Sequence, residues 1–342
     1  MEKNHLQLQP NNISSDTKVS MRTRVLSAII GLIIVVPLLV LGDWFTFALI
    51  TFMLVVAILE IVRCAKQKYS IWLYIVTFFL AACIAYWPII VSLCNVQNGW
   101  RIFTDFSSIK LPITILASGV FLLFVIVISD EHFTVRDACF IFTLVVLITL
   151  GLQSALYLRY LPVYLYHNEL IDSGESVAYF NLFDNMQSVT LFFYVVIATF
   201  FTDIGAYFIG IFFGHKKINP RISPKKTWGG FFGGIFISAI FSLGYAFIMC
   251  ACGVPVLKGA LDLKHWYHLV ILSLCLPIIA TLGDFVFSSV KRYYGIKDYG
   301  KLIPGHGGVL DRLDSLLFCF IFSAVYLNIV TSFTGGVINI IP

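Results

Sequence analysis

Long, unbroken apolar runs organise this chain, rather than alternation or a one-sided helical stripe. Nine segments, at about 25–42, 44–62, 71–93, 111–129, 138–158, 189–213, 230–252, 267–290 and 315–333, come close to the ~20 apolar residues a helix needs to cross hydrocarbon. Apolar side chains run all the way round each segment, as expected of helices surrounded by lipid or by one another. Lipid offers backbone N–H and C=O groups no partner, so each run is predicted to close its hydrogen bonds within itself. The expected fold class is an all-α polytopic membrane protein with about nine transmembrane helices. The first run lacks a small-x-small cleavage site and is expected to be an uncleaved span. Met21 is as good a start for it as Met1.

The polar positions between the runs set an orientation. Of the 23 Lys and Arg, 18 fall in the N-terminal tail (Lys3, Lys18, Arg22, Arg24) and in alternate connections at 63–70, 130–137, 214–228 and 291–312. Arg101, Lys110, Arg159, Lys258 and Lys264 fall on the other side. Positively charged loops stay in the cytoplasm, which predicts a cytoplasmic N-terminus and, after nine crossings, an outside C-terminus. Residues 1–22 are predicted to be a disordered cytoplasmic tail. Residues 23–188 form an N-terminal half of spans one to five plus a long outer loop, 159–188, that caps the bundle. Residues 189–342 form a second half of spans six to nine with two basic cytoplasmic loops. The N-terminal half has almost no embedded charge; its exception, Glu60, is expected to pair with Arg63 one turn on.

Composition agrees: 59% of residues are hydrophobic and 12% charged, where a soluble globular domain is about half apolar and a quarter charged. The eight Cys contain no C-x-x-C pair and read as inert thiols. His265 and His268 lie at an outer helix entrance, where an interfacial role is expected. No G-x-x-x-x-G-K-[ST], G-x-S-x-G or H-E-x-x-H occurs, which disfavours a P-loop ATPase, a serine hydrolase and a zinc protease.

Against this apolar background, residues 288–314, SSVKRYYGIKDYGKLIPGHGGVLDRLD, hold five Lys/Arg, three Asp, one His and five Gly. Asp284 lies seven residues before Lys291, about 10 Å deeper if helical, and an acid at that depth needs a partner, a cavity or a metal. Ser288 and Lys291 share its stripe. Asp311 and Asp314, at i, i+3, share one face at the start of the ninth span. Three carboxylates at a membrane surface would supply the hard oxygens Mg²⁺ prefers, though acids at a helix start can simply complement its dipole. In the turn I-P-G-H-G-G-V, Gly305, Gly307 and Gly308 permit close backbone approach, so N–H groups beside His306 are expected to cradle phosphate. In ISPKKTWGG, Ser223, Lys225, Lys226 and Thr227 precede the seventh span, where hydroxyls, ammonium groups and helix N–H groups can address a second phosphate. Asp203, embedded in span six, is a functional candidate by depth alone.

The run S-x-V-K-R-x4-K-D-x-G-x2-I-P-x-H-G-G-V-x-D-R-L-D from Ser288 to Asp314 resembles the signature of the phosphatidate cytidylyltransferases, or CDP-diacylglycerol synthases. The block D-x-x-A-Y-x-x-G-x-x-x-G from Asp203 to Gly214, followed by S-P-K-K-T-W at Ser223–Trp228, is similar to that family's other cytoplasmic block. Together they cover about a third of the chain; spans one to five match only in being hydrophobic. Gly229 departs from the pattern, since relatives often carry Glu or Gln there, and receives no role. The resemblance implies transfer of CMP from CTP to phosphatidic acid, giving CDP-diacylglycerol and pyrophosphate for phospholipid biosynthesis. It implies metal ligation by Asp284, Asp311 and Asp314, with Mg²⁺ and a second cation such as K⁺ as cofactors. Contacts to substrate are assigned to Ser223, Lys225, Lys226, Thr227, Ser288, His306, Gly307 and Gly308, and charge neutralisation to Lys291, Arg292 and Arg312. Asp203 joins the site without a specific role. The partners are CTP, phosphatidic acid and membrane lipid, with no nucleic acid; assembly as a homodimer is left open. The expected place is a bacterial inner membrane, multi-pass, with the site facing the cytoplasm. Two rivals remain: a CTP-dependent polyprenol or phytol kinase, which leaves the full 288–314 block unexplained, and a cation-coupled transporter, which predicts polar residues spread through the bilayer.

Overall fold

The computed structural model describes residues 15–65, 69–86, 110–172, 182–305 and 307–333. Among the described residues there are nine helices and one hairpin: α1 (Ser15–Leu41), α2 (Asp43–Cys64), α3 (Ile71–Ala85), α4 (Lys110–Ser129), α5 (Val135–Asp172), α6 (Leu182–Phe213), β1 (Lys217–Asn219), β2 (Ser223–Thr227), α7 (Trp228–Ala251), α8 (Trp266–Tyr293) and α9 (Leu310–Phe333). Six helices, α2 and α5 to α9, carry stretches long and apolar enough to cross a membrane. The apolar parts of α1, α3 and α4 are shorter: Leu26–Leu41, Ile71–Ala85 and Ile115–Ser129. The chain is thus an all-α polytopic membrane protein apart from the short antiparallel β1–β2 pair.

Several boundaries differ from the hydropathy reading. Helix α1 starts at Ser15, inside the stretch expected to be a tail; residues 1–14 lie outside the described residues. Helix α5 continues to Asp172 and α6 begins at Leu182, so most of the expected outer loop 159–188 is helix, and its middle, 173–181, lies outside the described residues. Arg159, assigned to that loop, is instead fully buried within α5. Its Nε donates to the Leu39 carbonyl at 2.9 Å and its guanidinium lies 5.2 Å from the Tyr160 ring centre.

Local chemistry explains where the helices start. Thr134 and Asp137 form a reciprocal capping box at α5: the Asp137 carboxylate accepts from Thr134 N–H at 3.2 Å, and Thr134 Oγ1 accepts from Asp137 N–H at 3.3 Å. Before α8, Asp262 accepts from the backbone N–H groups of Gly259 and His265. Burial pushes its carboxyl up, but these hydrogen bonds and the His265 ring outweigh it and hold the group below the usual carboxylate range.

Helix α9 is the shared element of the bundle, packing on α8 and α5 and touching α6 and α2. In hydrocarbon the apolar effect does not draw helices together, so close backbone approach and hydrogen bonds must. Both are present among α6, α7 and α8. A Cβ placed on Gly230 would lie 2.6 Å from the Ala206 carbonyl oxygen, and one on Gly233 within 2.4 Å of Ile209 Cβ, so α6 and α7 meet at glycine. A buried polar chain ties in α8: Tyr194 hydroxyl bonds Ser273 at 2.7 Å, Ser242 donates to Ser273 at 3.0 Å, and Ser238 donates to the Ala198 carbonyl at 2.7 Å.

The two ends of the bundle separate as the charge pattern requires. At one end Ser27 donates to the Pro304 carbonyl, Arg292 to the Ile222 carbonyl, and Glu60 meets residues 309–310. At the other, Thr190 reaches Val256, and the His268 ring nitrogen lies 2.6 Å from the Tyr326 hydroxyl. Segments assigned to one side by their Lys and Arg content therefore meet one another in space.

Candidate active site

The hairpin β1–β2 delivers one edge of the site. Thr227 ends β2 and caps α7, its Oγ1 accepting from Gly230 N–H at 3.1 Å. It is buried, which places it in the scaffold under the site rather than on its surface. One residue earlier, Lys226 reaches across to α8 and pairs with Asp284 Oδ2 at 2.5 Å, its ammonium also 4.5 Å from the Phe285 ring centre. Lys225 is exposed and Ser223 half-buried on the same strand.

Helix α8 presents the predicted stripe. Ser288 donates to Asp284 Oδ1 at 2.9 Å, which orients the carboxylate and uses the buried hydroxyl's proton. Two turns on from Asp284, Lys291 donates to Asp311 Oδ1 at 3.0 Å and lies 3.8 Å from Asp314 Oδ2. One ammonium thus reads both acids of α9, as the i, i+3 spacing requires. Arg292 and Arg312 are exposed at the rim.

The glycine turn behaves differently from its expected role. Three of its N–H groups, those of Gly308, Val309 and Leu310, converge on the protein's own carboxylates, and that of Gly307 on a carbonyl. Gly307 N–H donates to the Ile303 carbonyl at 3.1 Å, and Gly308 N–H donates to Asp311 Oδ2 at 2.9 Å. Val309 N–H donates to Glu60 Oε1 at 3.0 Å, and Leu310 N–H to Glu60 Oε2 at 2.8 Å. The Gly307 and Gly308 N–H groups are thus engaged within the turn in this structure, and the expected Glu60–Arg63 pair gives way to a cap on α9. His306 lies outside the described residues.

These contacts account for the glycines. Gly307 has φ +92°, which a side chain would strain. A Cβ on Gly308 or Gly300 would come within 2.3 Å of Glu60 Oε1, so both positions must be bare for the carboxylate to enter. Tyr299 completes the frame: its N–H donates to Asp311 Oδ2 at 2.8 Å and its hydroxyl to the Phe287 carbonyl at 2.9 Å.

The acids thus divide. Asp311 accepts three hydrogen bonds, from Lys291, Tyr299 and Gly308, and organises the turn. Asp203, Asp284 and Asp314 lie close enough to feel one another's charge, with Lys226, Lys291 and Arg312 as the nearby cations. Among the described residues no three acids, His or Cys close into a metal cage. An open pair of hard oxygen donors, Asp284 and Asp314, suits Mg²⁺ bound by one or two carboxylates with phosphate oxygens and water filling the rest. Asp311 accepts one hydrogen bond at Oδ1 and two at Oδ2, so a lone-pair position on Oδ1 is left for it to serve as a third ligand.

Sequence reasoning missed Glu60, Tyr299 and Gly300. Glu60 gave a signal, being an embedded acid, but its partners lie 249 and 250 residues away.

Residues 22–330 match the model of a family described as the cytidylyltransferase family. A phosphatidate cytidylyltransferase of Staphylococcus haemolyticus is 30% identical over 298 residues, 87% of this chain and 95% of that protein. Those of Bacillus subtilis and Haemophilus influenzae are 38% and 42% identical over 138 and 133 residues; these matches span 47% and 44% of the relatives' lengths. The longer match extends the likeness well into the N-terminal half, where the sequence had offered only hydrophobicity.

Proposed function

The chain belongs to the cytidylyltransferase family, and on that footing we propose that it transfers CMP from CTP to phosphatidic acid at the cytoplasmic face of a bacterial inner membrane. A phosphate oxygen of phosphatidic acid attacks the α-phosphorus of CTP. The bond from that phosphorus to the oxygen bridging the β-phosphate breaks, and pyrophosphate leaves with the electron pair. CDP-diacylglycerol remains in the bilayer.

The lipid phosphate is already ionised at neutral pH, so no serine or cysteine nucleophile is needed. The difficulty is to bring two polyanions together and to steady the leaving pyrophosphate, which is work for positioned cations. One observation carries the reading: the Asp284 and Asp314 carboxylates are bracketed by Lys226 and Lys291 where the two basic connections meet. Lys226 holds Asp284 in place until phosphate oxygens enter, then has a second anion to contact. Lys291 steadies α9 through Asp311 and neutralises charge beside Asp314. Arg292, Arg312, Lys225 and Ser223 line the approach for the nucleotide. Ser288 and Thr227 act from behind, as positioning residues. Asp284, Asp311 and Asp314 would hold Mg²⁺, which would supply further neutralisation of phosphate charge, with a second cation such as K⁺ alongside. Nine crossings, with the N-terminus inside, bring all of these groups to the side where CTP is made.

Purified protein given labelled CTP and phosphatidic acid, with Mg²⁺, should yield labelled CDP-lipid and pyrophosphate in equal amounts. EDTA should abolish turnover reversibly. Release of CDP with a phosphorylated alcohol would mean a lipid kinase and would overturn the reading.

A further inference from the structure

We propose that Glu60, on α2 and far along the chain from every residue assigned to the chemistry, is a positioning residue for cytidylyl transfer: it sets where α9 begins, and so where Asp311 and Asp314 stand. The proposal rests on the reaction above. Both Glu60 oxygens are used, one on Val309 N–H and one on Leu310 N–H, in a seat that is buried. Leu310 is the first residue of α9, and Asp311 and Asp314 follow within its first turn and a half. An ordinary helix cap is a Ser, Thr, Asp or Asn just before the helix, which fixes the helix only to its own loop. Glu60 fixes α9 to a different helix, and a two-oxygen grip restrains rotation as well as translation.

The surroundings are built to this seat. Gly300 and Gly308 flank it, and neither tolerates a Cβ while the carboxylate is present. The charged groups facing the seat are those of the turn itself. Asp311 accepts from Tyr299 and Gly308, on either side of the same segment, and Lys291 holds Asp311 from α8. The position of α9 is thus set from two sides: from α2 through Glu60 and from α8 through Lys291. Only the second was visible as chemistry. Since a misplacement of about 1 Å at a reacting centre can cost about 10²-fold in rate, loosening the first should be felt in turnover.

The test compares wild type with Glu60→Gln, Glu60→Asp, Glu60→Ala, Gly308→Ala and the Glu60→Ala/Gly308→Ala pair, purified and reconstituted with phosphatidic acid. Glu60→Gln turns an N–H₂ toward a backbone N–H, so kcat should fall by about 10²-fold while KM for CTP stays within about threefold. Glu60→Asp, which keeps the charge, should recover part of kcat. Amide hydrogen exchange in the 299–310 segment should quicken in Glu60→Gln, and kcat should fall further than the accompanying drop of a few degrees in melting temperature accounts for. Gly308→Ala should be impaired alone but add nothing to Glu60→Ala, because the crowding oxygen is gone. Wild-type kcat in Glu60→Gln, losses that merely track melting temperature, or additive Glu60 and Gly308 effects would each overturn the inference. Wild type making no CDP-lipid would instead fail the proposed reaction, leaving exchange at 299–310 to decide whether Glu60 holds the turn.

Discussion

Asp311 and Asp314 share a helix face, yet the fold uses them differently. Asp311 is wrapped by Lys291 and two backbone N–H groups, whereas Asp314 stands among Asp203, Asp284 and the cations. Asp314→Asn keeps the shape and loses the charge, so product formation should vanish while expression and melting temperature hold. Asp311→Asn cannot accept from Tyr299 and Gly308 as a carboxylate does. Hydrogen bonds to charged groups are worth about 1.5–3 kcal/mol each, so its melting temperature should fall by roughly 5 °C along with activity. Thermal unfolding in detergent beside CTP turnover checks both, and equal melting temperatures would erase the distinction. The residues facing the chemistry were legible in the sequence because a charge in a greasy helix is expensive and therefore conspicuous. The glycine turn was legible as an anion receptor, since its N–H groups have to be satisfied. Which anion fills it was not legible, because Glu60 and Val309 share no local pattern.

Among the elements, the apolar runs predicted the helices and their order well, but not their ends. A helix can propagate past its apolar stretch wherever polar residues keep the backbone hydrogen bonds going, as α5 does through Tyr157 to Asp172. The contact between α6 and α7 was equally hidden, because glycines scattered in a hydrophobic run look like composition until the facing backbone is seen. That contact is a sensitive one. Gly230→Ala would drive a Cβ to 2.6 Å from the Ala206 carbonyl oxygen, and backbone cannot swing aside as a side chain can. It should separate α6 from the start of α7, and hence Asp203 from Lys226. The melting temperature is expected to drop by several degrees, and turnover with it. An unchanged unfolding curve would show that the helices part at no cost.

For the whole molecule, the basic connections gather at one end, and the Lys and Arg bias predicts that this end faces the cytoplasm. Cysteine placed at the exposed Lys301 should react with an impermeant thiol reagent only once the inner face is opened, and one at the exposed Lys264 in intact cells. The reverse pattern would put the site on the face without CTP. The grip of Glu60 on α9 also has a consequence for how the protein is made. Synthesis proceeds at about 5–20 residues per second, so the 249 residues between Glu60 and Val309 take about 12–50 s to emerge. Through that interval α2 sits in the bilayer with a carboxylate that α9 has not yet claimed. A nascent chain stalled before residue 309 therefore carries on an early helix a carboxylate whose two backbone donors have not yet been made.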